Sequence, residues 1–135
     1  MACSYYRDKA LLYSILDRQQ QMVKAMELCE CLTEKELYYS EPCLDLCSMY
    51  IIQIVELYKK LTGYSQYQLR FLNAKVVSLR NDLVHNYAYV NTKELVKTIV
   101  TLKSKRSMES VNKAIGRCDE FKKQERLYIV EITAF

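Results

Sequence analysis

The sequence is poor in the residues that make tight turns. Its 135 residues include two glycines, Gly63 and Gly116, and a single proline, Pro42, whereas average composition would give roughly sixteen glycines and prolines together. Sandwiches and barrels need many turns that these residues favour, so we exclude an all-β fold. The remaining prediction is an all-α chain, long enough to bury the core of one domain.

The sequence also lacks a long apolar run and a metal-binding pattern. No apolar stretch approaches the roughly 18 residues of a membrane span, and the polar start, residues 1–8, lacks the order of a signal peptide. We therefore expect a cytoplasmic protein without a membrane partner, whose six cysteines are thiols. With one histidine and no Cys-x-x-Cys pair, we expect small buried cysteines and no bound metal or cofactor.

Positive charge is concentrated in the C-terminal third. Residues 1–90 carry ten Lys or Arg and ten Asp or Glu, whereas residues 91–135 carry ten and six, which accounts for the whole net charge of +4. A basic segment is compatible with binding a polyanion such as RNA, although solvated helix faces often have the same composition. We take Lys103, Lys105 and Arg106 as candidate contacts to an RNA backbone.

Apolar periodicity and capping residues predict the helices of a single domain over residues 1–135. The predicted helices cover about 6–32, a short segment from Thr33, 42–63, 65–87, a segment from Asn91 and 107–123. The third is expected to end at Gly63, and the fourth to be capped by Ser65. Residues 127–132 have a strand-like composition, and the alternative for residues 127–135 is an apolar tail docked on the bundle.

One residue breaks the apolar stripe of the predicted fourth helix. The stripe consists of Leu69, Leu72, Val76, Val77, Leu83, Val84 and Tyr87. Arg80 lies within it, and removing water from an unpaired guanidinium costs several kcal/mol. Departures from pattern are frequent at functional sites. The alternative is an arginine that extends to the edge of the bundle.

The only histidine, His85, follows Arg80 by five residues. On an ideal helix the two side chains are about 140° apart. They would converge on one ligand only through the long arm of Arg80, a local helix break or a second chain. A lone histidine is often structural. Tyr87, on the same helical face as Arg80, is compatible with simple core packing.

The segment Arg80-Asn81-Asp82-Leu83-Val84-His85-Asn86-Tyr87 resembles the signature of HEPN-domain ribonucleases, an Arg and a polar residue followed after three further positions by a His. The Tyr two residues after the His is similar to the HepT toxins, a HEPN branch encoded beside a minimal nucleotidyltransferase antitoxin. The order of helices around the motif is similar too. The chain departs from the family at residues 53–56, where small residues are common.

The resemblance implies an antiparallel four-helix-bundle-type HEPN domain with additional short helices, dimerising through the motif helix. It implies a metal-independent endoribonuclease toxin in which Arg80, Asn81 and His85 are catalytic at a composite site of two chains. It also implies a nucleotidyltransferase antitoxin that silences the toxin by transferring AMP to Tyr87. The alternative is a non-catalytic HEPN-like adaptor or substrate-binding partner of a nucleotidyltransferase.

The chemistry of RNA fits these residue types. RNA is cleaved without a metal when its own 2′-hydroxyl attacks the adjacent phosphate, provided that protons are moved and charge on the phosphate is stabilised. Imidazole ordinarily titrates near pH 6.5 and is suited to the proton transfers. A guanidinium gives permanently charged, bidentate contacts to phosphate oxygens.

Overall fold

The structure is a computed structural model that describes the backbone of residues 4–133 and the side chains of residues 6–120. Its helices are α1 (Ser4–Leu28), α2 (Glu34–Tyr38), α3 (Glu41–Lys59), α4 (Gly63–Gln68), α5 (Ala74–His85), α6 (Thr92–Leu102) and α7 (Lys105–Thr133), with a 3-10 turn at Tyr87–Tyr89. No strand occurs over residues 4–133, which confirms the all-α prediction. None of the helices described is both long enough and apolar enough to cross a membrane.

Helix α1 runs antiparallel to both α3 and α7 and makes its most extensive contacts with these two helices. Near its start, the buried carboxylate of Asp8 accepts hydrogen bonds from the backbone N–H and hydroxyl of Thr62, just after α3. Lys9 forms an ion pair with Asp119 of α7. Further along α1, the buried Gln19 side chain donates a hydrogen bond to the carbonyl of Leu102 at the end of α6. Polar contacts therefore join α1 to its neighbouring helices in addition to apolar packing.

One apolar core joins the helices. It is formed by residues at the expected helical spacing, which include Leu12, Ile15 and Met22 of α1, Ile51, Ile54 and Val55 of α3, Val76, Leu79 and Leu83 of α5, Leu95 and Ile99 of α6, and Val111 and Ile115 of α7. Helix α5 lies against α3, and the short helix α2 lies against α3 and α6. This arrangement holds α5, which carries the motif, on the rigid surface of α3.

The first helix ends at Leu28 and not at the predicted Leu32. Glu30 adopts a left-handed backbone conformation with φ 56°. The N–H of Glu30 donates to the carbonyl of Glu27, and the N–H of Cys31 donates to that of Met26. These two bonds form a Schellman motif at the end of α1. The left-handed position in this motif is usually a glycine, so a glutamate there does not predict the helix end.

The prediction of one helix from Ser65 to Tyr87, preceded by a stop at Gly63, is wrong. Helix α3 already ends at Lys59, and Gly63 begins the short helix α4 without a positive φ. Ser65 does not cap a helix, because its hydroxyl donates to the buried carboxylate of Asp8 at 2.6 Å. The capping spacing at this position was therefore coincidental.

Asn73 starts a separate helix, α5, within the segment predicted as continuous. Its side-chain oxygen accepts hydrogen bonds from the N–H groups of Lys75 and Val76 at 3.1 and 3.2 Å. Leu69 and Leu72 are buried in the turn before it, so both residues keep their predicted core positions. An asparagine cap and two buried leucines together allow the chain to turn without glycine or proline.

Other boundaries agree with the prediction more closely. Thr33 and Asn91 cap α2 and α6 by accepting the N–H of Glu36 and of Glu94. The backbone of residues 127–133 continues α7, so the strand prediction is wrong for these residues. The alternative of a docked apolar tail depends on side chains outside the described residues. Residues 134–135 lie outside the described part of the chain.

Candidate functional site

The motif residues lie at the end of α5 and in the turn that follows it. Val76, Leu79 and Leu83 are buried and hold one face of α5 in the core. His85 is the last residue of the helix. The N–H of Asn86 donates to the carbonyl of Asp82 at 2.8 Å, and the φ and ψ of Asn86, −138° and 52°, turn the chain out of the helix.

Arg80 is partly buried and forms an ion pair between helices. One terminal nitrogen contacts Glu56 of α3, and the other donates to the side-chain oxygen of Asn81 at 3.0 Å. The side chain of Arg80 is 15% exposed, and its Nε is buried without a hydrogen-bond partner. The break in the apolar stripe is therefore explained by a carboxylate on the neighbouring helix, although the buried Nε–H of the guanidinium has no partner.

His85 and Asn81 are exposed on α5. The helix is unbroken from Ala74 to His85, so the side chains of Arg80 and His85 remain about 140° apart around its axis. The Arg80 arm is directed to Glu56 on α3. Of the three routes by which the two residues would converge, the helix break is excluded, and the arm of Arg80 points to Glu56.

Tyr87 is 58% exposed, so the alternative of simple core packing is wrong for this residue. Its hydroxyl donates to the carboxylate of Asp45 on α3 at 2.6 Å. This hydrogen bond, together with partial burial and the charge of Asp45, raises the pKa of the Tyr87 hydroxyl. The proton therefore stays on oxygen at neutral pH, next to a carboxylate positioned to accept it.

Tyr87 and Arg80 do not share a helical face as predicted, because α5 ends at His85. Their partners on α3, Asp45 and Glu56, are 11 residues apart in one helix, a separation of about 16 Å. Within one chain the Tyr87 hydroxyl and the Arg80 guanidinium are thus at two ends of the α3–α5 contact.

The outward face of α5 is partly apolar. Asn81 and Val84 are three residues apart on one helical face, both are exposed, and Val84 is 42% exposed. Met49 of α3 is 43% exposed and lies beside Tyr87 and Leu83 in a surface groove of about 430 Å³. Apolar surface therefore accompanies the polar residues of the motif.

The candidate RNA-backbone residues lie on the connection between α6 and α7. Lys103 is the C-cap of α6, and Lys105 and Arg106 are exposed in the first turn of α7. None of the three forms an ion pair with a residue whose side chain the structure describes. They are not part of the α5 motif.

Four cysteines from two parts of the chain come together. Cys29 and Cys31 follow α1, and their thiols interact with that of Cys43 on α3, beside Cys47. Burial and the neighbouring thiols raise the pKa of Cys43, and burial raises the pKa of Cys47 to about 11. Within the described residues, no group of three or more His, Cys, Asp or Glu side chains has an arrangement that could hold a metal ion. Cys31, Cys43 and Cys47 are buried in the core, and Cys29 packs against it.

Sequence reasoning missed Glu56 and Asp45, the partners of Arg80 and Tyr87. A buried-face arginine signals that some carboxylate must lie opposite, and Glu56 belongs to the segment in which the chain departs from the HEPN pattern. No sequence signal indicates Asp45, because its contact depends on the turn that follows α5.

Comparison with protein-family models, with curated proteins and with solved structures gives no match to this chain. The resemblance to the HEPN family therefore depends on the residues of the motif and on the order of the helices.

Proposed function

We propose that this chain is a HEPN-type, metal-independent endoribonuclease toxin that acts as a homodimer and is silenced by a nucleotidyltransferase antitoxin. One observation carries the proposal. Arg80, Asn81 and His85 lie on one helix whose polar end is open to solvent, and Tyr87 follows directly with an exposed hydroxyl. A helix that served packing alone would have no need to combine these four residue types there.

Each residue has a defined role in the proposed reaction. The 2′-hydroxyl of RNA attacks the adjacent phosphorus, which breaks the bond to the 5′-oxygen and leaves a 2′,3′-cyclic phosphate. Imidazole of His85 transfers a proton in this step. The Arg80 guanidinium stabilises the added negative charge on the phosphate, and Asn81 orients the guanidinium through its hydrogen bond to the Nη1 atom of Arg80.

A second chain is part of the proposed site. One histidine cannot act as acid and base at the same instant, and in one chain Arg80 and His85 face different directions. A twofold axis beside the outward face of α5 would place two copies of both residues in one cleft. The exposed Val84 and Met49 supply apolar surface for such an interface.

The proposed regulation uses the contact between Tyr87 and Asp45. For AMP transfer, the tyrosine oxygen forms a bond to the α-phosphorus of ATP while pyrophosphate leaves, and the phenolic proton must be removed. Asp45 already accepts that proton in a hydrogen bond of 2.6 Å. The attached AMP adds a negative charge and a bulky base beside the proposed RNA cleft, and both oppose RNA binding.

The second candidate is a non-catalytic helical adaptor for a nucleotidyltransferase. The ion pair between Arg80 and Glu56 favours it, since a purely structural arginine would be neutralised in the same way.

The two candidates are distinguished by incubating the purified protein with single-stranded RNA in the presence of EDTA. The ribonuclease is expected to release fragments ending in a 2′,3′-cyclic phosphate, and to leave DNA of the same sequence intact because DNA lacks the attacking hydroxyl. Intact RNA, or equal cutting of DNA, would contradict the proposal and favour the adaptor.

A further inference from the structure

A surface cleft of about 480 Å³ lies between α2 and α6 and contains none of the motif residues. Its lining consists of Glu34, Lys35, Tyr38, Tyr39, Lys93, Val96 and Lys97. Three lysines face one glutamate, so the cleft carries a net positive charge. Basic and aromatic side chains in one groove are the usual composition of surfaces that bind single-stranded nucleic acid.

The two tyrosines form the aromatic wall of this cleft. Their ring centroids are 5.0 Å apart at an interplanar angle of 77°, an edge-to-face contact that restricts both rings. Tyr39 is nevertheless 76% exposed. An exposed ring that a neighbour holds in place gives a nucleobase a surface on which to stack at a low entropic cost.

Two of the lysines lie along α6, where they are positioned to contact a nucleic-acid strand running beside this helix. Lys93 and Lys97 are four residues apart, so they project from one face of this helix, beside the buried Val96. Neither these two lysines nor Lys35 forms an ion pair with any side chain described in the structure. Their charge is therefore available for an anion.

Local sequence fixes the cleft. The Thr33 cap starts α2, and the buried Leu37 anchors this short helix, so that Tyr38 and Tyr39 emerge on the outer side. The Asn91 cap starts α6 and sets the positions of Lys93 and Lys97. Both walls of the cleft are thus held by capped helices.

We propose that the cleft between α2 and α6 binds single-stranded RNA outside the catalytic site, with a base stacked on Tyr39 and backbone phosphates on Lys93 and Lys97. This inference relies on the proposed ribonuclease function only for the identity of the ligand as RNA. It adds a second contact, which would hold the substrate strand while the α5 motif cuts it.

The test is fluorescence anisotropy with a labelled single-stranded 2′-O-methyl RNA of about 12 nucleotides, over a series of salt concentrations. This probe has no free 2′-hydroxyl for the attack, so binding is measured without cleavage. Tyr39→Leu should weaken binding about fivefold or more at every salt concentration, and Tyr39→Phe should bind like the wild type.

The paired substitution Lys93→Gln with Lys97→Gln should lower the slope of log K against log salt by about 1.4, since each phosphate contact of a single strand contributes about 0.7. The control, Lys59→Gln with Lys60→Gln, removes the same charge from the exposed end of α3 and should leave the slope unchanged. Circular dichroism checks that each variant is folded.

The inference is overturned if the wild type does not bind the probe, if Tyr39→Leu binds within twofold of the wild type, or if the control changes the slope as much as the cleft variant. A duplex probe that binds as well as the single strand and depends equally on Tyr39 would also overturn it. The failure of the ribonuclease proposal is distinguishable from the failure of this one. In that case natural RNA would remain uncut, although the binding results for the cleft would be as expected.

Discussion

The guanidinium of Arg80 is occupied within a single chain. Glu56 holds one terminal nitrogen and Asn81 the other. An RNA phosphate that binds there would be close to the Glu56 carboxylate and would repel it. The partner that permits an arginine in this apolar stripe therefore also limits its affinity for an anion.

We expect Glu56→Gln to bind RNA about fivefold more tightly than the wild type. Glutamine keeps the shape and an oxygen acceptor for Arg80 but removes the negative charge, and one like charge at this range costs about 1 kcal/mol when water is close. Anisotropy with the 2′-O-methyl RNA probe measures the change. Glu109→Gln removes the same charge from an exposed position on α7 and serves as the control. Weaker or unchanged binding of Glu56→Gln would show that Arg80 contacts no phosphate.

The hydrogen bond between Tyr87 and Asp45 leads to a prediction for the rate of the proposed AMP transfer. Asp45→Asn should slow the modification by at least about tenfold, because an amide cannot take up the phenolic proton. Mass spectrometry of protein incubated with ATP, magnesium and a nucleotidyltransferase encoded beside the gene follows the reaction. Glu41→Gln is the matched control, since the charge of Glu41 acts on Tyr87 without a hydrogen bond. An equal rate in Asp45→Asn and the wild type would exclude a role of Asp45 as the base.

At the scale of the helices, the start of α5 depends on Asn73. Its side chain satisfies two N–H groups of the first turn and separates the motif helix from α4. The position of Arg80 against Glu56 follows from where this helix begins. A cap on the surface therefore supports the geometry of the site seven residues away.

Asn73→Ala should lower the free energy of unfolding by about 1 kcal/mol, the usual cost of losing an N-cap. Urea denaturation followed by circular dichroism measures the loss. Asn73→Asp keeps an acceptor at the cap and should stay close to the wild type. If Asn73→Ala and Asn73→Asp are equally stable, the cap does not stabilise α5.

The sequence predicts the helices where apolar spacing and a strong cap coincide. Thr33 and Asn91 cap their helices as predicted. The prediction fails where contacts between distant parts of the chain, or an unusual backbone conformation, determine where a helix begins or ends. The hydroxyl of Ser65 donates a hydrogen bond to the distant Asp8 instead of capping a helix. Glu30 adopts a left-handed backbone conformation, which a glutamate does not favour.

The candidate site could also be predicted only in part. The motif from Arg80 to Tyr87 can be identified from the sequence, because its residues are close along the chain. Glu56 and Asp45 are 24 and 42 residues away from their partners, and periodicity carries no information about such pairs. The contacts that tune the site were thus found only in the structure.

For the whole molecule, the proposed site requires two chains. We expect light scattering to give twice the chain mass of 16.0 kDa. Val84→Glu places a charge on the outward face of α5 and should produce a monomer that has lost RNA cleavage. Leu28→Glu makes the same change at a leucine that is 84% exposed at the end of α1, and it should remain dimeric and active. A monomeric wild type at micromolar concentration would contradict the composite site.

The most direct measurement of the central claim is the rate of RNA cleavage in EDTA by the wild type, His85→Ala and Arg80→Ala. We predict that the wild type cuts RNA to 2′,3′-cyclic phosphate ends. His85→Ala should be slower by about a hundredfold or more through loss of proton transfer, and Arg80→Ala by a comparable factor through loss of charge stabilisation. Full activity in either folded variant, or no activity in the wild type, would contradict the account.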